Sequence, residues 1–477
     1  MSPPNPRAQT RDRLLIPLYR LGTIGFVIAV GGSLASCVAL QEGVDPSPDL
    51  ARDSNPAFAV PPTRAKGRIA RDWWTVYKDP ALDDDVETAL SNSPGIAVLA
   101  HRLEQSDAQV KTARAATWPR LNLGLGYRPG RARDIDFGPY DLAPWQGTSQ
   151  FQWELDLWGK LRHSLQSARS ERNAAHYDLE AAKLILISRI AEARFRLYRL
   201  REEKQLLGES VTANGEILEL LRGQEGAGIV SNTDLLRAEG EHEKLKRSLL
   251  ELERLEQLAL AGLRTLRGRS GTIDPGGSFP SPPPPPGKSF TILLQSHPDL
   301  LAEESRVRSA FQLEESTRLN LLPSLQLNAS AMGRSPGFLL DEFRQWQATF
   351  GPSLDLPVFD PARLAALDQK KAATREASAR YREALFQILE DIEASHLNWA
   401  NRHRQLATVE RELDALELAR KNVRATFKAG LVSQIEVLEI ERSTLAAARA
   451  RAVLRQAILN DHLSLLRALG GGVAADS

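Results

Sequence analysis

The sequence predicts a mainly α-helical chain with a small β part, organised as a duplicated unit of long coiled helices plus two strands. Three observations lead there. Four short blocks recur in the same order about 200 residues apart. Each copy contains runs in which apolar and polar residues alternate, the period of a strand with one dry and one wet face. Each copy also contains a helical run far longer than a globular domain uses; about 65 residues at 1.5 Å each span roughly 100 Å.

The recurring blocks are these. Ser93-Pro94-Gly95-Ile96 aligns with His297-Pro298-Asp299-Leu300, and Pro119-Arg120-Leu121-Asn122-Leu123 with Pro323-Ser324-Leu325-Gln326-Leu327. Glu154-Leu155-Asp156-Leu157 aligns with Ser353-Leu354-Asp355-Leu356, and Ala227-Gly228-Ile229-Val230-Ser231 with Ala429-Gly430-Leu431-Val432-Ser433. Between the copies lie Asp274-Pro275-Gly276-Gly277 and a proline run, Pro282 to Pro286. A proline run cannot continue a helix and favours an extended spacer. The chain therefore divides into an N-terminal signal (1–36), an extended segment (37–85), a first repeat (86–273), a linker (274–288), a second repeat (289–470) and a tail (471–477).

The 477 residues carry 61 basic and 60 acidic side chains. That balance offers no basic stripe for nucleic acid. Hydrophobic residues make up 42% and aromatics 6%, and Leu, Ala, Glu, Arg and Gln dominate long stretches, as in long helices. Past the N-terminus no apolar run reaches the 18 residues that a transmembrane helix needs.

At the N-terminus, Arg7, Arg11, Arg13 and Arg20 precede an apolar run from Leu21 to Leu34 that ends in Leu34-Ala35-Ser36-Cys37. A positive start, an apolar middle and a small-residue end describe an export signal. Leu-Ala-Ser-Cys resembles a lipobox, which implies cleavage before Cys37 and a lipidated N-terminal cysteine. Cys37 is the only cysteine, so an intrachain disulfide and a cysteine-built metal site are both excluded. A buried free thiol is the plain alternative.

Within each repeat the elements follow in order. A first helix covers Pro94 to Trp118, with Ile96, Leu99, Leu103, Val110 and Ala113 at helical spacing; its counterpart covers Pro298 to Leu322. Pro119 and Pro323 stop them. Then Leu121, Leu123, Leu125 and Tyr127 alternate with small or polar residues, and Phe151, Trp153, Leu155 and Leu157 alternate with Gln150, Gln152, Glu154 and Asp156. In the second copy Leu325, Leu327, Ala329 and Ala331 alternate likewise, as do Trp346, Ala348, Phe350, Leu354 and Leu356. Segments 128–148 and 333–345, rich in Gly, Pro and Asp, read as loops. Long helices then run from about Trp158 to Gln224 and from Pro361 to Lys428. Each breaks at glycine and resumes at Ser231 or Ser433. Leu184, Ile187, Ile190, Ala191 and Phe195 are spaced for packing on neighbouring helices.

Four strands in two distant hairpins make a poor sandwich, and a membrane barrel starts at about eight. An open sheet in lipid leaves edge groups unsatisfied, each costing several kcal/mol. Closure therefore needs several chains: two would give eight strands, three would give twelve.

At this point the chain resembles a known family, the outer-membrane efflux proteins or TolC-like ducts, and within it the lipoprotein outer-membrane factors of resistance-nodulation-division pumps. Trp73-Trp74-Thr75-Val76-Tyr77-Lys78-Asp79-Pro80-Ala81-Leu82 looks like the family's N-terminal segment. Trp153 to Lys160 is similar to its most recognisable block, and Gly430 to Glu439 resembles its helix-hairpin tip. The resemblance implies a homotrimer forming a 12-stranded transmembrane β-barrel continuous with a 12-helix periplasmic α-barrel. It implies a passive duct from a periplasmic adaptor and an inner-membrane pump to the exterior, with no cofactor and no chemistry of its own. A type I secretion or metal-efflux duct of the same fold is the near alternative, and a soluble coiled-coil scaffold the distant one.

The resemblance assigns adaptor docking to Gly228, Ile229, Val230, Gly430, Leu431 and Val432. Glycine ending one helix and serine capping the next also accounts for these turns, but an exposed apolar pair, Ile229-Val230 or Leu431-Val432, has no capping role and favours docking. It assigns Glu436 and Glu439 to the tunnel's closed end, where threefold symmetry would form acidic rings favouring cations and proton-sensitive gating. Spaced i, i+3 they share a helix face, and acidic residues early in a helix are also favoured by its dipole. Their counterparts are Asp234 and Arg237, so the ring is not duplicated. Gln150, Gln152, Glu154 and Asp156 are expected to face a water-filled lumen, unless the strand belongs to a soluble sheet. No catalytic or metal-site pattern appears: His396 and His403 share a helix face, and Gly287-Lys288-Ser289 lacks the upstream glycine of a phosphate loop, where Pro282 stands.

Overall fold

The computed structural model describes residues 72–134, 138–274, 279–281, 297–338, 345–429 and 431–471. The expected signal, Cys37, Gly430, the proline run and most of the tail lie outside these residues.

A 3-10 turn, Trp73–Tyr77, leads into α1 (Pro80–Asn92) and α2 (Pro94–Ala115). Strands β1 (Arg120–Tyr127), β2 (Gly130–Asp134), β3 (Gly138–Leu142) and β4 (Trp145–Leu155) follow, then the long α3 (Lys160–Gly226) and α4 (Asn232–Arg267). The second half runs α5 (Pro298–Leu319), β5 (Ser324–Ser335), β6 (Gln345–Asp355), α6 (Pro361–Lys428) and α7 (Gln434–Ala468). Mainly helical with a small β part is what the sequence predicts.

Two expectations are corrected. The stretch 37–85, expected to be extended, is helical over Trp73–Tyr77 and from Pro80 on: Pro80 occupies the first helical turn, and the Asp79 carboxylate accepts from the N–H groups of Ala81 and Leu82 at 3.1 and 3.3 Å. The segment 128–148, expected to be loop, holds the β2–β3 hairpin and the start of β4. Cross-strand pairing overrides its turn-forming composition, with Arg131 Nε donating to Asp141 Oδ1 across the hairpin at 2.7 Å.

The described chain divides into two compact units. One comprises Ala115–Ser164 and Phe311–Lys371 and holds both sheets; the other comprises residues 72–114, 165–310 and 372–471. The main sheet is antiparallel, in the order β1-β4-β5-β6. The strands adjacent in space come from both halves of the chain, β4 beside β5, so the two hairpins form one sheet whose edges are β1 and β6.

The helical unit is built on the spacing noted above. Leu184, Ile187, Ile190, Ala191 and Phe195 of α3 are all buried, packed with Trp73, Trp74 and Tyr77, Leu82 and Val86 of α1, Leu263 of α4 and Leu459 and Leu463 of α7. The N-terminal segment is thus a core component here. Buried polar groups fix it in place. Arg194 Nε donates to Asp85 Oδ2 at 2.8 Å, Arg194 Nη1 to the Asp274 carbonyl at 2.7 Å, and Arg267 Nη1 to Asp85 Oδ1 at 2.5 Å. Tyr198 Oη donates to Asp79 Oδ2 at 2.5 Å. Phe279 is buried beside the Tyr198 ring, and the Arg455 guanidinium lies 4.8 Å from its centroid.

Candidate functional site

Strand register sorts the sheet's side chains into two unlike faces. The paired positions Leu121, Phe151, Ala329 and Phe350 lie side by side across all four strands, and the neighbouring rungs of that face carry Leu123, Leu125, Tyr127, Trp153, Leu325, Leu327, Trp346 and Leu354. The opposite face has Gln150, Gln152, Gln326, Asn328, Ser330 and Thr349. On it Gln152 Nε2 donates to Gln326 Oε1 at 3.2 Å, Asn328 Nδ2 donates to Ser353 Oγ at 2.7 Å, and the hydroxyls of Ser330 and Thr349 lie 2.7 Å apart.

It is the apolar face that is left uncovered. Leu123, Trp346 and Phe350 expose 77%, 75% and 75% of their surface. A soluble sheet buries its apolar face and wets its polar one; here the apolar face is bare, which fits lipid as its solvent. The length fits as well: 11 residues in β4 and β6, at about 3.4 Å each and tilted about 45°, rise about 26 Å, close to the apolar band of an outer-membrane barrel. Aromatic rings gather at one end of the sheet, where Trp145 stacks edge-on with Tyr127 at 5.1 Å and with Phe338 at 4.6 Å. At the other end Trp118, Trp158 and Phe359 are exposed.

Of the four polar residues singled out on β4, Gln150 and Gln152 are exposed. Glu154 is half-buried and paired with Lys160. Asp156 is a correction: it lies one residue past β4, where its carboxylate accepts from the N–H groups of Leu161 and Arg162 at 3.1 and 3.0 Å. Its role is to cap α3, because the first turn of a helix leaves N–H groups that need an acceptor.

The turn between α3 and α4 is set by glycine. Gly228 has φ 73°, in the left-handed region, and the Ile229 N–H donates back to the Gln224 carbonyl at 2.9 Å. Ser231 then caps α4, its Oγ accepting from the Asp234 N–H at 3.2 Å and donating to Asp234 Oδ2 at 2.7 Å. Ile229 and Leu431 stand out, 73% and 76% exposed. Val230 and Val432 do not share that exposure. Val230, expected in an exposed pair, is half-buried with Leu235, Leu218 and Leu221. It precedes the cap and packs on the residue four beyond it, as a hydrophobic staple. Val432 is half-buried. Glu436 and Glu439 are both exposed near the start of α7. Ser433 makes no side-chain cap bond, whereas Asp234 and Arg237 pair at 3.7 Å.

No helix among the described residues is long and apolar enough to cross a membrane. No His, Cys, Asp or Glu cluster among them could hold a metal ion.

Comparison with known proteins agrees with these surfaces. A family model described as outer membrane efflux protein matches residues 86–269 and 291–471. The pyoverdine export outer membrane protein OpmQ of Pseudomonas aeruginosa is 27% identical over 427 residues, 87% of this chain and 90% of that protein. The probable outer membrane lipoprotein SilC of Salmonella typhimurium is 24% identical, over 84% of this chain and 88% of its own. Among solved structures, the outer-membrane channel OprN superposes with a TM-score of 0.80 at 23% identity, covering 89% of this chain and 97% of that one. The chain belongs to the outer membrane efflux protein family: it is an outer-membrane efflux channel, a conduit and not an enzyme.

Proposed function

We propose that three copies of this chain close into one duct, a 12-stranded barrel in the outer membrane joined to a 12-helix periplasmic tunnel, and that the duct is one part of a tripartite efflux system. The observation that carries this reading is a four-stranded sheet with a bare apolar face and two unpaired edges. An open edge in lipid is prohibitive, and β1 of one copy meeting β6 of the next satisfies both edges. Repeats 86–273 and 289–470 each supply two strands and one long helical hairpin, a division that the two matched segments support. Cysteines introduced on β1 and β6 test the joint. Oxidation should give covalent dimers and trimers; monomer alone at every pairing register contradicts it.

Energy comes from an inner-membrane pump, reached through a periplasmic adaptor that docks at the tips formed by 228–230 and 430–432. The exposed Ile229 and Leu431 support this, since an isolated apolar side chain at a turn has no capping role. Glu436 and Glu439 ring the closed end, and Gln150, Gln152 and Glu154 line the barrel. The mature chain is anchored by lipid on Cys37, a reading that likeness to a probable lipoprotein supports. A Cys37→Ala variant should lose palmitate labelling; labelling that persists contradicts the anchor.

A further inference from the structure

The polar face of the main sheet carries few charges, and they are not alike. Where β4 leads into α3 and β6 into α6, each carboxylate is answered by a base. Glu154 pairs with Lys160, and Asp355 Oδ2 accepts from Arg363 Nη2 at 3.0 Å. Two arginines on the same face have no acidic partner among the described residues. Arg120 stands in register with Gln152 at the start of β1 and is exposed. Arg334 stands in register with Gln146 near the far end of β5. It donates only to neutral oxygens, the carbonyls of Arg128 and Ala143 and Oε1 of Gln146, at 3.4 to 3.5 Å. Between these two rungs the face holds amides, hydroxyls, glycine and the neutral thioether of Met332, which accepts from Gln146 Nε2 at 3.0 Å.

We infer that Arg120 and Arg334 make the barrel section of the duct selective for anionic solutes, small carboxylates, phosphates and sulfonates, over cations of the same size. The inference rests on the reading that the polar face lines the channel. Repeated in three copies, the arginines form two positive rings bounding a neutral, hydrogen-bonding stretch. A low-dielectric wall weakens screening by salt, so fixed charges of one sign raise the local concentration of the opposite ion. Carbonyl and amide partners hold the Arg334 guanidinium in place without cancelling its charge, unlike the paired acids at the other end.

The test uses full-length protein in outer-membrane vesicles with Gln150→Cys as a reporter, the unsubstituted protein giving the background. Two methanethiosulfonate reagents, one ending in sulfonate and one in trimethylammonium, are compared by their rates of reaction. The ratio of anionic to cationic rate should exceed that of a free thiol. It should fall by about threefold or more in an R120Q/R334Q double variant, with the larger share from Arg120, whose register partner Gln152 lies about 7 Å along β4 from Gln150, within roughly one Debye length. Arg334→Lys should keep the ratio, and each single Gln variant should lower it in part. A ratio equal to that of the free thiol and unmoved by R120Q/R334Q overturns the inference while leaving the lining intact. If Gln150→Cys reacts with neither reagent while Phe151→Cys reacts with both, the lining is wrong and the inference falls with it.

Discussion

Arg194 and Asp85 form an ion pair wholly removed from water: the guanidinium is 1% exposed and the carboxylate 0%. The pair joins α1 to the long helix α3 across 109 residues of sequence. Arg194→Ala leaves a buried carboxylate with only Arg267 to answer it and should destabilise the helical unit by about 3–5 kcal/mol, the cost of breaking rather than replacing a buried pair. Denaturation of the purified protein reads this directly. Replacing both residues with leucine should cost much less than the single change.

Stability should also fall in mild acid. Tyr77 Oη and His462 Nδ1 share a hydrogen bond of 2.9 Å in the core, and burial pushes the His462 imidazole down to about 4 from its ordinary 6.5. A histidine whose folded value is depressed binds its proton more readily when unfolded. Its contribution is therefore complete above about pH 6.5 and is lost as pH falls from there toward about 4, to the extent of about 3 kcal/mol. Melting temperature measured from pH 7.5 to 4.5 should drop for the natural protein, and a His462→Gln variant should flatten that slope.

The two faces of the sheet should respond oppositely to charge. Phe350→Arg puts a cation on the bare apolar face near the middle of β6 and should cost about 2–4 kcal/mol, blocking assembly in the membrane. Thr349→Arg, one residue away on the polar face, should be accepted. Heat-resistant oligomer on a gel distinguishes them; equal tolerance contradicts the assignment of faces.

At the α3–α4 turn, Ile229→Asp should leave stability within about 0.5 kcal/mol, as for an exposed position with no partner, yet weaken efflux in cells. Val230→Asp should lower stability as well, because Val230 packs on Leu235. Melting curves and efflux assays of the two variants separate docking from packing.

How much of this was legible beforehand depended on range. The alternation of Phe151 and Trp153 with Gln150 and Gln152 was readable because a strand's period is two and each face meets one solvent. The core stripe from Leu184 to Phe195 was readable for the same reason at helical period. The β2–β3 hairpin was hidden by Gly, Pro and Asp, which mark turns but do not forbid pairing. Asp156 looked like the next polar residue of a strand, because a cap depends on where the helix begins. The Arg194–Asp85 pair, the Tyr77–His462 bond and the lack of an acidic partner for Arg334 among the described residues have no local pattern; each joins residues far apart in sequence or depends on which neighbour is absent. The packing of Val230 on Leu235 has no sequence mark, because a staple becomes visible only once the turn's direction is known.

The central claim is that one chain supplies a third of a closed barrel. The mass of the particle extracted in detergent from isolated outer membranes tests it most directly. A protein mass near three chains of 52.7 kDa, less the signal, is the expected result. A monomer would leave the edges of β1 and β6 unpaired in lipid, and recovery in the soluble fraction alone would put the apolar face in water; either result contradicts a closed barrel in the outer membrane.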